Sequence, residues 1–249
     1  MHRISIPSNN KETKKGFTPN HMRTIECKIG PTQRNYMLSK PIQNPTTFLP
    51  LKVAEESGDF IIEKARPVHT FWIKQICEVT LASAIARGTG ISGRSPELLE
   101  TKMKKGEAVI AFASDGRWAG FSFISSWENG SYVSNSGLIV APEFRHTGLA
   151  KRIKRKIFEL SRQKYPDARI FSLTTGLAVM KMNHELGFEP VTYSELTADD
   201  TFWENCKSCV NCPILMNKDR KNCLCTAMLY DPKQKGAKMN LVKDLEITQ

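Results

Sequence analysis

The sequence predicts an α/β fold built on a mixed central sheet, and three observations carry that expectation. Apolar runs at 108–114, 117–127 and 131–140 are joined by Asp115-Gly116 and Asn129-Gly130. Both dipeptides accept the positive φ of tight hairpin turns, so the three runs read as an antiparallel meander. A helical period then takes over and gives way to another apolar run at 168–173. Strand, helix and strand in that order imply a parallel pair joined by a right-handed crossover. Finally, 249 residues suffice for one domain of ordinary size or two small ones at about 150 residues each.

Residues 1–58 show no sustained periodicity, are interrupted by six prolines and carry nine Lys or Arg against four Glu. They read as a flexible basic extension. From Phe71 to Arg87, Trp72, Ile73, Ile76, Val79, Leu81, Ala84 and Ile85 recur at helical spacing. Gly88, Gly90 and Gly93 end that helix in a loop. Ser95-Pro96-Glu97 starts a second helix, with a hydroxyl cap, a proline in the first turn and an acid against the dipole. After the meander, Leu149, Ala150, Ile153, Ile157 and Leu160 line one helical face. Lys151, Arg152, Lys154, Arg155 and Lys156 fall on a basic face opposite. Tyr165-Pro166-Asp167 stops this helix, 177–186 reads as another, Gly187 ends it, and 188–193 returns to strand. Residues 196–230 read as a cysteine-rich appendage and 231–249 as a flexible tail.

The formal charge of +11 favours anionic partners, among them nucleotide cofactors, acidic small molecules and nucleic acid. With 40% hydrophobic and 24% charged residues the chain is neither collagen-like nor wholly disordered. Its longest apolar run, Ala108 to Ala113, is far short of the roughly 20 residues that span a bilayer. The first residues lack the apolar core of a signal peptide. A soluble, cytoplasmic protein without membrane association is expected.

The most informative stretch runs from Gly137 to Ala150. An apolar strand turns into a helix whose first turn offers unsatisfied N–H groups and a positive dipole end, both suited to a phosphate. Gly148 and Ala150 keep side chains out of the way, and Arg145 adds a cation. Arg145-x-x-Gly148-x-Ala150, preceded by Val140-Ala141-Pro142-Glu143-Phe144, resembles the pyrophosphate loop of the GCN5-related N-acetyltransferases. Leu186-Gly187-Phe188-Glu189 is similar to that family's Leu-Gly-Phe, and the resemblance covers roughly residues 59–195. It implies acetyl-CoA as co-substrate and a splayed fourth and fifth strand. Pantetheine would pair with backbone at Leu138, Ile139 and Val140. The pyrophosphate would sit on loop amides of Arg145, His146, Thr147, Gly148, Leu149 and Ala150. Where many members carry a proton-donating tyrosine this chain has Asn183, which gives up no proton at neutral pH but is able to hydrogen-bond the sulfur. His146 and His184 read as exposed.

Arg94-Ser95-x-Glu97-x-Leu99-Glu100 and Leu173-Thr174-Thr175 resemble segments of bacterial N-acetylglutamate synthase acyltransferase domains. That likeness implies an arginine-biosynthesis N-acyltransferase whose acceptor is glutamate first and ornithine next. Carboxylates of such an acceptor need guanidinium clamps, for which Arg87 and Arg94 are candidates. Asn135, Ser136, Thr174 and Thr175 are candidates to line the cleft, the first two near the chemistry. A succinyl donor would need an extra cation near the thioester.

Cys206-x-x-Cys209 and Cys223-x-Cys225 are two thiol pairs thirteen residues apart, a set that suits structural zinc better than iron–sulfur; Cys212 would be spare or a substitute ligand. Two other functions compete with the small-molecule enzyme. One is acetylation of a protein or peptide amine. The other is a nucleic-acid-binding zinc knuckle, whose affinity would fall steeply with salt. A homodimer is left open.

Overall fold

The computed structural model of the protein describes residues 60–88 and 94–234. The expected basic extension, Gly90, Gly93 and the tail beyond residue 234 lie outside the described residues. In chain order the elements are β1 (Phe60–Lys64), α1 (Ile73–Arg87), α2 (Pro96–Lys104), β2 (Ala108–Ala113), β3 (Trp118–Trp127) and β4 (Tyr132–Val140). There follow α3 (Leu149–Lys164), β5 (Arg169–Thr174), α4 (Leu177–Glu185), β6 (Glu189–Val191), α5 (Asp200–Glu204), α6 (Cys212–Asn217) and β7 (Thr226–Tyr230). Seven strands form one sheet in the order β1-β2-β3-β4-β5-β7-β6. Only β4 and β5 pair in parallel, as the strand–helix–strand pattern predicts.

Strand β2 shows why the sheet is central. Its six residues are all buried, and alternate side chains serve two separate cores. Val109, Ala111 and Ala113 pack with Leu149, Ile153, Ile157 and Leu160 of α3. Ala108, Ile110 and Phe112 pack with Ile73 and Ile76 of α1 and Leu99 and Met103 of α2. Both faces are covered, so the strand reads as a continuous apolar run. Helix α2 begins as its sequence dictates: the Leu98 N–H donates to the Ser95 hydroxyl at 3.2 Å. Among the described residues no helix is long and apolar enough to cross a membrane.

Two irregularities shape the middle of the sheet. Phe121 pairs with Ile139 but Phe123 pairs with Ser136, so β4 carries one extra residue at Gly137-Leu138, a β-bulge. Gly137 has φ +65°, and a Cβ there would fall 2.5 Å from the Phe123 ring. On its other edge β4 pairs with β5 only at Tyr132, Val133 and Ser134. Meanwhile β5 stays paired to β7 as far as Thr174. The two strands therefore part after Ser134, leaving the β4 edge from Asn135 to Val140 open.

The cysteine-rich stretch is not a separate appendage. Its last residues form β7, which lies between β5 and β6. Ala227 and Leu229 join Phe171, Tyr193, Phe202, Trp203 and Leu215 in a third core. Burial of these side chains fixes 196–230 onto the sheet. Strand β1, at the other edge, pairs with β2 throughout and also goes beyond the sequence expectation.

Candidate active site

The parting of β4 and β5 opens a cavity of ≈ 260 Å³. Its walls include β4 from Ser134 to Ile139 and β5 from Phe171 to Thr174. At the far end of the open β4 edge the chain turns through Pro142–Phe144 into α3. His146 and Gly148 adopt φ of +65° and +81°, which folds the turn back so that its N–H groups face outward. The N–H groups of His146, Thr147, Gly148, Leu149 and Ala150 find no acceptor among the described residues, as the first turn of a helix requires. Nothing lies within 4 Å of where a Gly148 side chain would begin. The exposed Thr147 donates its hydroxyl to the Phe144 carbonyl at 2.8 Å. The turn thus leaves five consecutive backbone amides without an acceptor among the described residues.

Arg145 is anchored. Its guanidinium donates to the Val140 carbonyl at 3.3 Å and to the Ser83 hydroxyl of α1 at 2.9 Å. Arg87 donates to the Ser83 carbonyl at 3.1 Å. Burial pushes the Arg87 pKa down, and the Arg145 charge nearby pushes it the same way. Two guanidinium groups so close together raise the local potential for an anion.

Arg87 and Arg94 both line the cavity. Arg94 lies 5.4 Å over the Phe123 ring, and burial lowers its pKa while the Cys206 thiol acts the other way. Thr174 and Thr175 line the same space. Ser136 does too; its hydroxyl donates to Ser134, which also accepts the Trp127 indole N–H at 3.0 Å. No Asp or Glu is among the residues lining the cavity. Its cations are Arg87, Arg94 and Lys154, and hydroxyls and thiols make up much of the remaining polar wall.

Two expectations change here, those for Asn183 and Lys154, while Asn135 lines the cavity and also bonds to α3. Asn135 points to α3, where its amide donates to Ser161 at 2.8 Å and its carbonyl oxygen accepts from Lys154 at 3.3 Å. Its hydrogen bonds hold α3 to the sheet. Asn183 is fully buried, donating to the Met228 sulfur at 3.6 Å, and its carbonyl oxygen has no hydrogen-bond partner. It is not among the cavity-lining residues. Lys154 leaves the exposed basic face: it is 3% exposed and lines the cavity. The sequence carried a trace of this. At helical spacing its neighbours are Ala150, Lys151, Ile157, Phe158 and Ser161, of which Lys151 alone is charged.

The cysteines also line the cavity. Cys209 accepts the Asn211 N–H and Cys223 accepts the Cys225 N–H, both at 3.3 Å. The Tyr193 hydroxyl lies 2.9 Å from the Cys223 sulfur. Hydrogen bonding from Cys225 brings the Cys223 pKa down to about 6 despite burial, and Cys225 is raised in turn. Burial pushes Cys206 up to about 11. Among the described residues no group of three or more His, Cys, Asp or Glu is arranged to hold a metal ion. The zinc expected at Cys206, Cys209, Cys223 and Cys225 is unsupported; Cys223 is engaged by Tyr193 and Cys225, and Cys209 by the Asn211 N–H.

No protein-family model matches the chain, and no curated protein matches it in sequence. Solved structures do. The N-acetylglutamate synthase of Neisseria gonorrhoeae, complexed with coenzyme A and N-acetyl-glutamate, aligns with a TM-score of 0.52 at 19% identity. The alignment covers 71% of this chain and 36% of the Neisseria chain, so this protein spans about a third of that enzyme's length. A Mycobacterium tuberculosis protein in complex with CoA aligns with a TM-score of 0.50 at 18% identity, over 69% of this chain and 98% of its own. The fold is that of the GCN5-related N-acetyltransferases.

Proposed function

We propose that the protein is an acyl-CoA-dependent N-acyltransferase, with acetyl-CoA as the reference donor and a small amino acid as acceptor. Glutamate is the first acceptor and ornithine the second, which would place the protein in arginine biosynthesis. One observation carries the reading. An unpaired strand edge runs from a row of free amides to a cavity lined by Arg87, Arg94 and Lys154, with no carboxylate among the described lining residues. The row fits a diphosphate, because no side chain occupies the space above Gly148. The open edge of Asn135–Val140 offers backbone groups to the amides of pantetheine. An amine entering from the Arg94 side would meet the thioester carbonyl near the bulge, where Gly137 and Leu138 have no partner in register on β3. Backbone N–H groups there are placed to stabilise the oxyanion.

The absence of acids from the lining favours glutamate over ornithine, whose second ammonium would face Arg87 and Arg94. Loss of a charge-assisted hydrogen bond costs about 1.5–3 kcal/mol. Arg94→Ala is therefore expected to raise the KM for glutamate by about 10- to 100-fold while the Kd for coenzyme A moves less than threefold. Thiol release from acetyl-CoA, measured across glutamate, ornithine and other amino acids, checks this. No turnover with any amino acid would remove the reading.

A further inference from the structure

One charged side chain at the foot of the cleft has no task in the reading above. Lys154 is 3% exposed. Its ammonium is 3.3 Å from the Asn135 carbonyl oxygen and 5.1 Å from the centre of the Phe188 ring. An ammonium has three N–H donors, and Asn135 takes one. Asn135 directly follows Ser134, the last residue of β4 paired to β5. The Lys154 head therefore stands where the two strands part.

Length places the reacting sulfur near the same point. From Val140 back to Asn135 the β4 edge covers about 17 Å at roughly 3.3 Å per residue. The arm of coenzyme A from phosphate to sulfur is a chain of about a dozen bonds of roughly 1.3–1.5 Å, close to 15 Å when extended. With its phosphates on the amides of 146–150, an arm of about 15 Å along β4 brings the thioester to the Ser136–Gly137 end of the open edge, one or two residues from Asn135 and its Lys154 partner.

We propose that Lys154 is the general acid of the transfer, giving an ammonium proton to the departing sulfur of coenzyme A. This rests on the acyltransferase reading. The acceptor nitrogen bonds to the thioester carbon, and the carbonyl pair moves to oxygen. On collapse the carbonyl reforms, the carbon–sulfur pair goes to sulfur, and sulfur takes the Lys154 proton. The new amide nitrogen releases its extra proton to water, and neutral Lys154 regains one from water. Amine and thioester become amide and thiol, with no oxidant or reductant.

The surroundings suit the task. Asn135 of β4 and Phe188 at the end of the α4–β6 connection are neutral, and Ser161 of α3 reaches Lys154 through Asn135. Burial alone brings the Lys154 pKa down to about 7, with no charged group acting on it. A free thiol sits near 8.5, so proton transfer to the thiolate runs downhill. Arg87, Arg94, Tyr193 and the cysteines are the other titratable groups of the cavity. The guanidinium groups do not release protons near neutrality, burial with the Cys223 contact raises Tyr193 further, burial holds Cys206 up at about 11, and Cys223, brought down to about 6, has already lost its proton at neutral pH.

The experiment compares wild type, Lys154→Met and Lys154→Arg in steady state with acetyl-CoA and glutamate from pH 6 to 9. Circular dichroism verifies folding, and calorimetry gives the Kd for coenzyme A. Loss of a general acid costs about 10²–10⁴-fold. Both variants are expected to lose at least 100-fold in kcat with the Kd for coenzyme A within threefold. The alkaline limb of the wild-type kcat profile should be absent from both. A kcat within threefold of wild type in Lys154→Met, or activity restored by Lys154→Arg, would overturn the assignment. So would a variant whose main change is its preference between acetyl-CoA and succinyl-CoA, because Lys154 would then be a counter-charge for a carboxylate. Wild-type turnover with active Lys154 variants sinks this assignment alone, whereas absence of turnover with every thioester sinks the acyltransferase reading as well.

Discussion

An ammonium buried without a carboxylate beside it is a standing cost to the fold, and Lys154 shows when that cost is felt. An unfolded lysine titrates near 10.4, and in the folded protein burial brings Lys154 down to about 7. Above pH ~10 both states are neutral and nothing is lost. As pH falls toward 7 the unfolded chain binds a proton that the folded chain resists, so stability declines. The whole penalty is present below the folded value. A tenfold difference in proton affinity between the two states is worth about 1.4 kcal/mol. Lys154→Met is therefore expected to raise Tm most at pH 6 to 7 and to match wild type near pH 10. Calorimetry at pH 6, 8 and 10 checks it; a stabilisation independent of pH would contradict the ionic origin. The β4–α3 turn with its unpaired amides, and Arg87 and Arg94 on the cavity wall, were legible in the sequence because backbone turns and guanidinium groups announce themselves locally. Lys154 was not, because a run of five basic residues hides the one that faces inward. Asn183 was assigned chemistry but is buried against Met228 away from the cavity, and Asn135 on the cavity wall also bonds to α3, since an amide shows in sequence its polarity but not its partners.

At the scale of elements, the bulge in β4 is the device that shapes the cleft. It depends on Gly137, held at φ +65° with the Phe123 ring only 2.5 Å from a would-be Cβ. Gly137→Ala is expected to cost about 1–3 kcal/mol and to lower kcat/KM, because relaxing the clash straightens β4. Urea unfolding measures the first effect. Phe123→Leu in the same chain should recover part of it, and if the double variant recovers nothing, ring contact is not the cause. The meander itself was readable from its two turn dipeptides. Its bulge left only a glycine inside an apolar strand, and the pairing shift that gives that glycine meaning involves a different strand.

For the whole molecule, the placement of β7 matters most. Consecutive strands are neighbours in roughly two-thirds of cases, and that tendency makes β5 and β6 look adjacent. Instead β7 separates them, pairing with Ile170 to Thr174 on one side and Glu189 to Val191 on the other. Five residues after a cysteine-rich stretch carry too little pattern to reveal this. Deleting the chain from Thr226 onward would expose the β5 edge and strip Ala227, Met228 and Leu229 from two cores. Such a truncation is expected to lose cooperative thermal unfolding, as followed by circular dichroism. A truncated chain that still melts sharply would show the first five strands to be self-sufficient.

The bulk of the sheet can assemble as the polypeptide leaves the ribosome, but the seat for β7 stays vacant until the last described strand is synthesised. During that interval Phe171, Leu173 and their neighbours have no lid, and a second nascent chain could offer its own β7 to the waiting edge. Translation speed through the cysteine-rich segment thus sets how long each copy is exposed to exchanging strands with another.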